Sequence, residues 1–516
     1  GKINFFFFFF CISNNTMKQF VIISMGGVGV WFKVAGYKTY KAFLKVSDNI
    51  TILDKIIKNF PSAKTEFIII GNSKKIKLIK LKVKNKNVQI LEIKPHKFGP
   101  LYSLHLAEKK LDKIISDNNL FVVYSDINWN WNYRKVLKFV EGKEAVVFTH
   151  KDYHPDLENN FRSDFCKANK NKEIFKTSIK KPISKDYKND LLGISCYYFK
   201  NFRFFRNYFK NDKKFILNKK REVYLISIID YLIKKRIKVL LYNIENFVHL
   251  GIPSQYENFI HWRNIFINEF KKSIKIKISN LMLMAGKGKR IKELGEKKPF
   301  LKIKNTKFYI YIFNKFGSSN NYIVTTKNYF KKLDKKYTIF KINKSNSMLE
   351  TLEKSLNFIK SKKNILISSC DCFGIFEKQK LERLIEIKKP EIILFSYKFS
   401  DLQKQLVNSH TVISKKNNKI IEIKVKKNNT NDQIGNAGFF WVNNTKVFNH
   451  INEFKFNTKL RRELLVDDYF EYLFRKKKFR IETFEMKNYV HIGSTSEYKE
   501  LQYWEKYFKN ETVRIN

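Results

Sequence analysis

The chain has 516 residues, of which 43% are hydrophobic and 16% aromatic, and this composition excludes a disordered protein and leaves room for two or three domains. Its 102 Lys and Arg residues outweigh 47 Asp and Glu residues to give a net charge of +55, but the positive charge is spread along the whole chain, which is not typical of a specific nucleic-acid-binding protein. The apolar run at residues 5–12 is far shorter than the roughly 20 residues of a spanning helix, so membrane insertion is not expected.

The N-terminal residues 1–16 contain a run of phenylalanines without a small-residue cleavage site, and we expect them to be a non-native or disordered extension that precedes Met17. From Met17 onward, residues 17–27 predict a buried strand that ends in a glycine turn. Strand-like runs at 66–71 and 391–397 alternate with longer helical patterns, which predicts an α/β fold with a mostly parallel sheet and helices on both faces. Five irregularly spaced cysteines favour a reducing, cytoplasmic setting.

Short strings in the first half of the chain recur in the same order in the second half. SMGGVGVWF at 24–32 matches LMAGKGKRI at 283–291, KAFLKV at 41–46 matches KPFLKI at 298–303, and the strand ending at Asp126 matches the strand ending at Asp371. Residues 248–266 similarly match residues 490–508. Because the matches keep one order and nearly one spacing, the sequence predicts two tandem domains, 17–275 and 276–516, with the boundary near Lys275.

The opening of the second half combines a glycine turn with two cations. Ala285, Gly286 and Gly288 follow a predicted strand, and glycines allow backbone N–H groups to approach a phosphate closely. Arg290 can grip phosphate oxygens as a fork, and Lys298 offers a compact charge. The alternative is a purely structural turn with two solvated cations, because such turns are common after strands.

This second half resembles the sugar-phosphate nucleotidylyltransferase family, whose opening signature is G-x-G-x-R followed by K-P. The resemblance extends through Asp371 at the end of an apolar strand, NAGFFWVN at 436–443, ELLVDDY at 463–469 and HIGSTSEY at 491–498. It implies two Rossmann-like α/β nucleotidyltransferase domains, with the nucleotide at the carboxyl edge of each sheet.

The resemblance also implies roles for individual residues. Arg290 would hold the departing pyrophosphate, Lys298 would bridge the reacting phosphates, and Asp371 would bind Mg²⁺. Gly286 and Gly288, with Ala285 beside them, would contact the nucleotide. The sugar side of the pocket would be lined by Asn436, Gly438, Glu463 and His491.

One departure from the family concerns the second metal ligand. Family members often end with D-x-G-T, in which the Asp binds the metal, whereas both halves here carry histidine, His249 and His491. A neutral imidazole is a poorer ligand than a carboxylate for Mg²⁺, so His491 is expected to touch substrate or a metal-bound water, or Asp467 contributes to the metal site. In the first half, Asp126 is the corresponding metal candidate.

The first half keeps several features of the motif and loses others. It retains the nucleotide-binding candidates Gly26, Gly27, Gly29 and Lys41, together with Asp126 and Glu222. Trp31, however, takes the place of Arg290, and the alignment places Cys196 at the position of Gly438. We therefore predict that the second half is catalytic and that the first is weakened, specialised or structural.

The leading functional hypothesis is nucleotidylyl transfer from a nucleoside triphosphate to a sugar 1-phosphate, which makes an activated sugar for surface polysaccharide. The partners would be a nucleoside triphosphate and a phosphorylated small molecule, with Mg²⁺ as cofactor. Two alternatives stay open: a cytidylyltransferase acting on a non-sugar phosphate such as phosphocholine, and a non-catalytic pair of nucleotide-binding domains. The oligomeric state, a homodimer included, is not fixed by the sequence.

Overall fold

The computed structural model describes residues 18–83, 87–157, 163–211, 222–267, 277–286, 289–359, 362–399, 411–426, 433–458, 462–477 and 479–512. The chain forms two compact units, and the divisions fall inside two helices, between Ile260 and His261 and between Lys509 and Asn510; each helix is described below with the unit that holds most of its preceding strands. Residues 1–16 and Lys275 lie outside the described residues, so the expected N-terminal extension and the boundary near Lys275 stay predictions. Among the described helices, none is both long and apolar enough to cross a bilayer.

The first unit alternates strands and helices. Its elements are β1 (Gln19–Met25), α1 (Val30–Val34), β2 (Lys45–Ser47), β3 (Ile50–Thr51), α2 (Ile52–Lys58), β4 (Thr65–Asn72), α3 (Ile76–Lys82), β5 (Val88–Ile93), α4 (Pro100–Leu106), α5 (Glu108–Ile115), β6 (Asn119–Tyr124), β7 (Ile127–Asn130), α6 (Tyr133–Val140), β8 (Ala145–His150), β9 (Asp164–Ala168), β10 (Ile174–Ser178), β11 (Leu191–Phe199), α7 (Arg203–Asn211), α8 (Ile226–Lys234), β12 (Val239–Asn243), β13 (Asn246–His249) and α9 (Pro253–Ile267).

The main sheet of the first unit has the order β10-β9-β11-β6-β1-β4-β5, and β8 pairs with both β11 and β12. Strands β5, β4, β1 and β6 are parallel, whereas β11 runs antiparallel to β6. Every residue of β1 after Gln19 is buried, as is typical of a central strand covered by helices on both faces. Leu104, Leu111, Phe205 and Ile229 from four helices join Ile22 of β1 in one core.

The second unit has a similar succession of elements. These are β14 (Ser279–Met284), β15 (Lys302–Ile303), β16 (Thr306–Lys307), α10 (Phe308–Phe316), β17 (Asn320–Thr326), α11 (Lys327–Phe330), β18 (Thr338–Ile342), α12 (Met348–Ser355), β19 (Lys363–Ser368), β20 (Cys372–Ile375), α13 (Lys378–Lys388), β21 (Ile392–Lys398), β22 (Thr411–Lys416), β23 (Lys419–Val425), β24 (Gln433–Asn444), α14 (Ile451–Asn457), α15 (Val466–Lys476), β25 (Ile481–Glu485), β26 (Lys487–His491) and α16 (Thr495–Thr512).

The sheet of the second unit has the order β18-β17-β14-β19-β24-β21-β25, with β22 paired to β24. Strands β18, β17, β14 and β19 are parallel, and β24 runs antiparallel to β19. Both sheets therefore place four parallel strands beside one antiparallel strand. The predicted fold class, two α/β units each built on a mostly parallel mixed sheet, is confirmed. A common origin of the two halves stays a prediction.

Shortening a buried side chain at the centre of the first sheet is expected to destabilise that unit. Ile22 is fully buried, and Ile22→Ala removes methyl groups and leaves a cavity, at a cost of about 2–5 kcal/mol. Ile179 in the same unit is 39% exposed, so Ile179→Ala should change stability by less than about 0.5 kcal/mol. Urea unfolding of both variants measures the difference, and equal losses would contradict the assigned core.

Candidate active site

A partly buried ion pair lies at the carboxyl end of β19 in the second unit. Lys298, from a short 3-10 helix, places Nζ 2.9 Å from Oδ2 of Asp371, and the Ser369 hydroxyl donates to Oδ1 of the same carboxylate. Burial alone would raise the pKa of Asp371, but the charges of Lys298 and His491 and the Ser369 hydrogen bond lower it to about 2. Asp371 is therefore ionised at neutral pH, and the structure pairs two of the predicted catalytic residues.

His491 lies near the same oxygen of Asp371 and also contacts a second carboxylate. It pairs with Cys372, the residue after Asp371, and its Nε2 is 3.9 Å from Asp371 Oδ2. Its Nδ1 is 3.4 Å from Oε1 of Glu497. The imidazole therefore bridges two carboxylates, which suits contact with a substrate better than direct binding of Mg²⁺.

Sequence analysis missed Glu497. Its Oε2 accepts the backbone N–H groups of Gly493 and Ser494, each at 2.7 Å, and the Ser494 hydroxyl at 2.9 Å. Burial alone would raise the pKa of Glu497, but His491 and these hydrogen bonds lower it to about 2. The S-x-x-E spacing from Ser494 to Glu497 is a helix-capping signature that could have marked this residue.

The predicted phosphate-binding turn follows β14, whose parallel neighbour β19 ends near Asp371. Ala285 is buried, Gly286 is exposed, and the Tyr329 hydroxyl donates to the Gly286 carbonyl at 2.5 Å. Gly288 lies outside the described residues. Arg290 is the second residue of a short 3-10 segment, Lys289–Leu294, and its side chain lies outside the described part. The glycine turn and Asp371 thus lie at the ends of two neighbouring strands, at the same edge of the sheet.

The predicted sugar-side residues lie on β24 and near α15. Asn436 Nδ2 donates to Asp467 Oδ1 at 2.9 Å, and the Gly438 N–H donates to Asn436 Oδ1 at 3.4 Å. Burial raises the pKa of Asp467 despite hydrogen bonds from Thr411 and Asn436. Glu463 is exposed, three residues before α15 begins. Among the described contacts, Asp467 is joined to Asn436 and not to the Asp371 pair.

The first unit repeats the ion pair. Lys41 Nζ lies 2.6 Å from Asp126 Oδ2, and Asp126 follows β6 as Asp371 follows β19. Burial alone would raise the pKa of Asp126, but Lys41 and His249 lower it. His249 pairs with Ile127, the residue after Asp126, so the histidine has the same register in both units.

In the first unit, two side chains donate hydrogen bonds to the carbonyl groups of the glycine turn. Asn72 donates to the carbonyls of Gly26 and Gly27 at 3.0 and 3.1 Å, and Lys75 Nζ donates to the carbonyl of Gly27 at 3.3 Å and to that of the next residue at 2.8 Å. Gly29 has φ +65° and precedes α1, in which Trp31 is 65% exposed. Burial, and after it the charge of a neighbouring lysine, lowers the pKa of Lys75 to about 8.

The register of β11 corrects one sequence assignment. Cys196 pairs with the residue three positions before the acidic residue that follows β6, and Phe439 pairs with the equivalent residue of β19. Cys196 therefore matches Phe439, and Ser195 takes the place of Gly438. Ser195 and Gly438 share a left-handed backbone, with φ of 59° and 72°. The sequence alignment was therefore wrong by one residue, although both strands carry the same register shift, between Gly193 and Tyr197 and between Asn436 and Phe440.

No protein-family profile and no curated protein sequence matches this chain. Among solved structures, a nucleoside-diphosphate-sugar pyrophosphorylase from Vibrio cholerae RC9 is 19% identical with a TM-score of 0.38, over 46% of this chain and 99% of that protein. An inositol-1-phosphate CTP transferase from T. maritima is 15% identical with a TM-score of 0.37, over 45% and 98%. A UDP-glucose pyrophosphorylase complexed with UDP-glucose is 13% identical with a TM-score of 0.38, over 47% and 97%.

Replacing Asp371 by Asn is expected to destabilise the second unit at pH 7 and to matter progressively less toward pH 2. The folded pKa of about 2 lies below the ordinary value of 3.8, so the carboxylate stabilises the fold fully above about pH 5, and this contribution is lost as the pH falls toward 2. The difference between these pKa values corresponds to on the order of 2 kcal/mol. Urea unfolding at pH 7, 5 and 3 tests this against the exposed control Glu386→Gln; a pH-independent effect would contradict it.

Proposed function

We propose that the second unit transfers a nucleotidyl group from a nucleoside triphosphate to a sugar 1-phosphate, and that the product is an activated sugar for polysaccharide synthesis. The observation that carries the proposal is the Lys298–Asp371 pair. It lies at the end of β19, and the neighbouring strand, β14, leads to the Gly286 turn. Open α/β sheets bind ligands at this edge. The order of motifs along the chain supports the same reaction.

The reaction needs positioning and charge neutralisation more than acid–base chemistry. A phosphate oxygen of the acceptor attacks the α-phosphorus, the bond from that phosphorus to the bridging oxygen breaks, and pyrophosphate leaves with the electron pair. Lys298 would offer its ammonium group to the reacting phosphates, and Arg290 would bind the departing pyrophosphate. Asn436 and Gly438 would contact the acceptor sugar, and Glu463 would complete that side of the pocket.

Asp371 fits a magnesium site because Mg²⁺ is commonly held by one or two carboxylates together with substrate phosphates. Its carboxylate is ionised at neutral pH. If Lys298 turns to an arriving phosphate, the oxygen of Asp371 that it now contacts becomes available to a metal ion. When bound, Mg²⁺ would neutralise charge that develops on the phosphate oxygens. We propose Asp371 as the protein ligand, with Asp467 on the acceptor side and Asp126 as the counterpart in the first unit.

For the first unit we propose a weakened or structural role. Its turn presents Trp31 where the second unit has Arg290, and the carbonyls of Gly26 and Gly27 are already bound by Asn72 and Lys75. Phosphate oxygens accept hydrogen bonds, so a triphosphate at this turn would have to draw Asn72 and Lys75 away from these carbonyl oxygens. Lys41 and Asp126 nevertheless keep the geometry of the catalytic pair, so the two units offer matched variants.

Replacing Lys298 by Met is expected to abolish pyrophosphate release, whereas the matched change Lys41→Met should leave most of it. Methionine keeps the length of the side chain and removes the charge that the transition state needs, so a loss of at least about 100-fold is expected. The full chain would be assayed with Mg²⁺, each common nucleoside triphosphate, and a panel of sugar 1-phosphates together with phosphocholine.

The panel separates the outcomes. Acceptor-dependent release that Lys298→Met abolishes supports the proposal and identifies the substrates, and release only with phosphocholine overturns the sugar assignment. Activity that survives Lys298→Met but is lost in Lys41→Met would move catalysis to the first unit. If the folded protein releases no pyrophosphate across the panel, the proposed reaction is contradicted.

Introducing a second carboxylate beside Asp371 is expected to tighten magnesium binding. His491→Asp places oxygen ligands next to Asp371 in place of an imidazole, and Mg²⁺ prefers oxygen. The Mg²⁺ concentration for half-maximal activity should fall by about tenfold, provided that the reaction proceeds as proposed. His491→Asn, which brings no charge, is the control, and a similar change in both variants would contradict a metal at Asp371.

A further inference from the structure

Three of the nine histidines of the chain lie together in the first unit, next to one carboxylate. The ring centroids of His150 and His154 are 6.0 Å apart, and those of His154 and His249 are 5.9 Å apart. Asp156, on the short 3-10 turn before residue 158, lies against the last two. This cluster is separate in sequence and in unit from the Lys298–Asp371 pair.

The donor atoms of His154, Asp156 and His249 are close enough to share one ion, because all three lie within 4.8 Å of one another. Asp156 Oδ2 is 2.6 Å from His249 Nδ1 and 3.8 Å from His154 Nδ1. In a tetrahedral site with metal–ligand bonds of about 2.0–2.1 Å, ligand atoms lie roughly 3.3 Å apart. The two distances that involve Asp156 bracket that spacing, and the third, between the two histidines, is at most 4.8 Å, so the side chains must draw together around an ion.

The surroundings hold these side chains in place. Gln255 Nε2 donates to both oxygens of Asp156 at 3.2 Å, and the ring of Phe247 stacks on His154 with centroids 4.3 Å apart. His249 ends β13, whose register with β7 fixes its position. The Asp156 N–H also donates to His154 Nδ1 at 3.1 Å, and this bond would give way to the metal. Such supporting contacts are typical of metal ligands in proteins.

The protonation states also suit a cation. Burial lowers the pKa of His154 to about 3, so its imidazole is neutral at pH 7. Burial alone would lower the pKa of His249 as well, but Asp156 raises it above its ordinary value. Asp156 keeps an ionised carboxylate, with a pKa of about 2 set by His154 and His249 against the effect of burial.

We propose that His154, Asp156 and His249 form a binding site for a divalent transition-metal ion of the Zn²⁺ class, with a fourth position for water or a small anion. Two imidazoles and one carboxylate favour such an ion over Mg²⁺, which prefers oxygen ligands alone. The ion would tie the turn that carries Asp156 to β13. The site is independent of the proposed nucleotidyl transfer and uses different residues.

The test is a metal titration of the full chain after removal of metals with a chelator. Co²⁺ serves as the probe because its visible absorption reports four-coordinate geometry, and Zn²⁺ is then added to displace it. We expect one equivalent of Co²⁺ with a four-coordinate spectrum, displacement by Zn²⁺, and no displacement by millimolar Mg²⁺. Asp156→Asn and His154→Gln should each weaken binding by at least about tenfold.

Two controls separate this site from other histidines and from Asp371. His450→Gln removes an exposed histidine that lies 3.2 Å from a carboxylate, Glu453, and should leave Co²⁺ affinity unchanged. Asp371→Asn should also leave it unchanged. The proposal is overturned if the folded wild-type chain takes up no stoichiometric Co²⁺, if Asp156→Asn and His154→Gln bind as tightly as wild type, or if Asp371→Asn removes the bound ion.

Discussion

Each unit is organised around a partly buried ion pair between a lysine and an aspartate at the carboxyl edge of the sheet. The side chains of Lys298 and Asp371 are 10% and 21% exposed, and those of Lys41 and Asp126 are 20% and 22% exposed. Removing either partner leaves the other charge partly shielded from water without its counter-ion, which costs more than losing a fully exposed pair. The pair therefore fixes the short helix that carries the lysine against the end of the parallel strand. In the proposed reaction, the lysine of the second unit is the cation that an incoming phosphate would take as its partner.

The histidine beside each aspartate has the same position in both units, but its other partner differs between them. In the second unit, Glu497 from the turn after β26 holds His491. In the first unit, Gln255 takes the equivalent place in sequence, and the carboxylate at His249 comes from Asp156 on a turn 93 residues earlier. Gln255 is neutral and cannot favour the protonated form of the imidazole, so Asp156 supplies the negative charge that favours it. Because Asp156 also lies near His154, the use of Asp156 in place of a glutamate brings a second imidazole into the cluster.

Sequence patterns predicted what depends on order along the chain, and missed what depends on local register or long-range contact. The buried strand β1 follows from its continuous apolar run, and the glycine turn from its place after that strand. The lysine and aspartate of each pair follow from the family resemblance and from the matching strings of the two halves. Ser195 was missed because apolar residues on both sides of it allow the two strands to be aligned one residue out of step, and only the pairing with β6 and β19 fixes the match. Lys75 was missed because it is one of 102 cationic residues, and only folding brings it to the Gly27 carbonyl.

The two glycine turns differ in the charge of the groups that bind their carbonyls, and this difference supports separate roles for the units. In the second unit a neutral tyrosine hydroxyl, from Tyr329, binds the Gly286 carbonyl. In the first, the ammonium of Lys75 binds the Gly27 carbonyl and also lies 3.6 Å from the centre of the Tyr40 ring. A cation held by carbonyls and an aromatic face is already partly neutralised. The two turns therefore have different electrostatic surroundings, and the proposal that the units differ in phosphate binding rests in part on this difference.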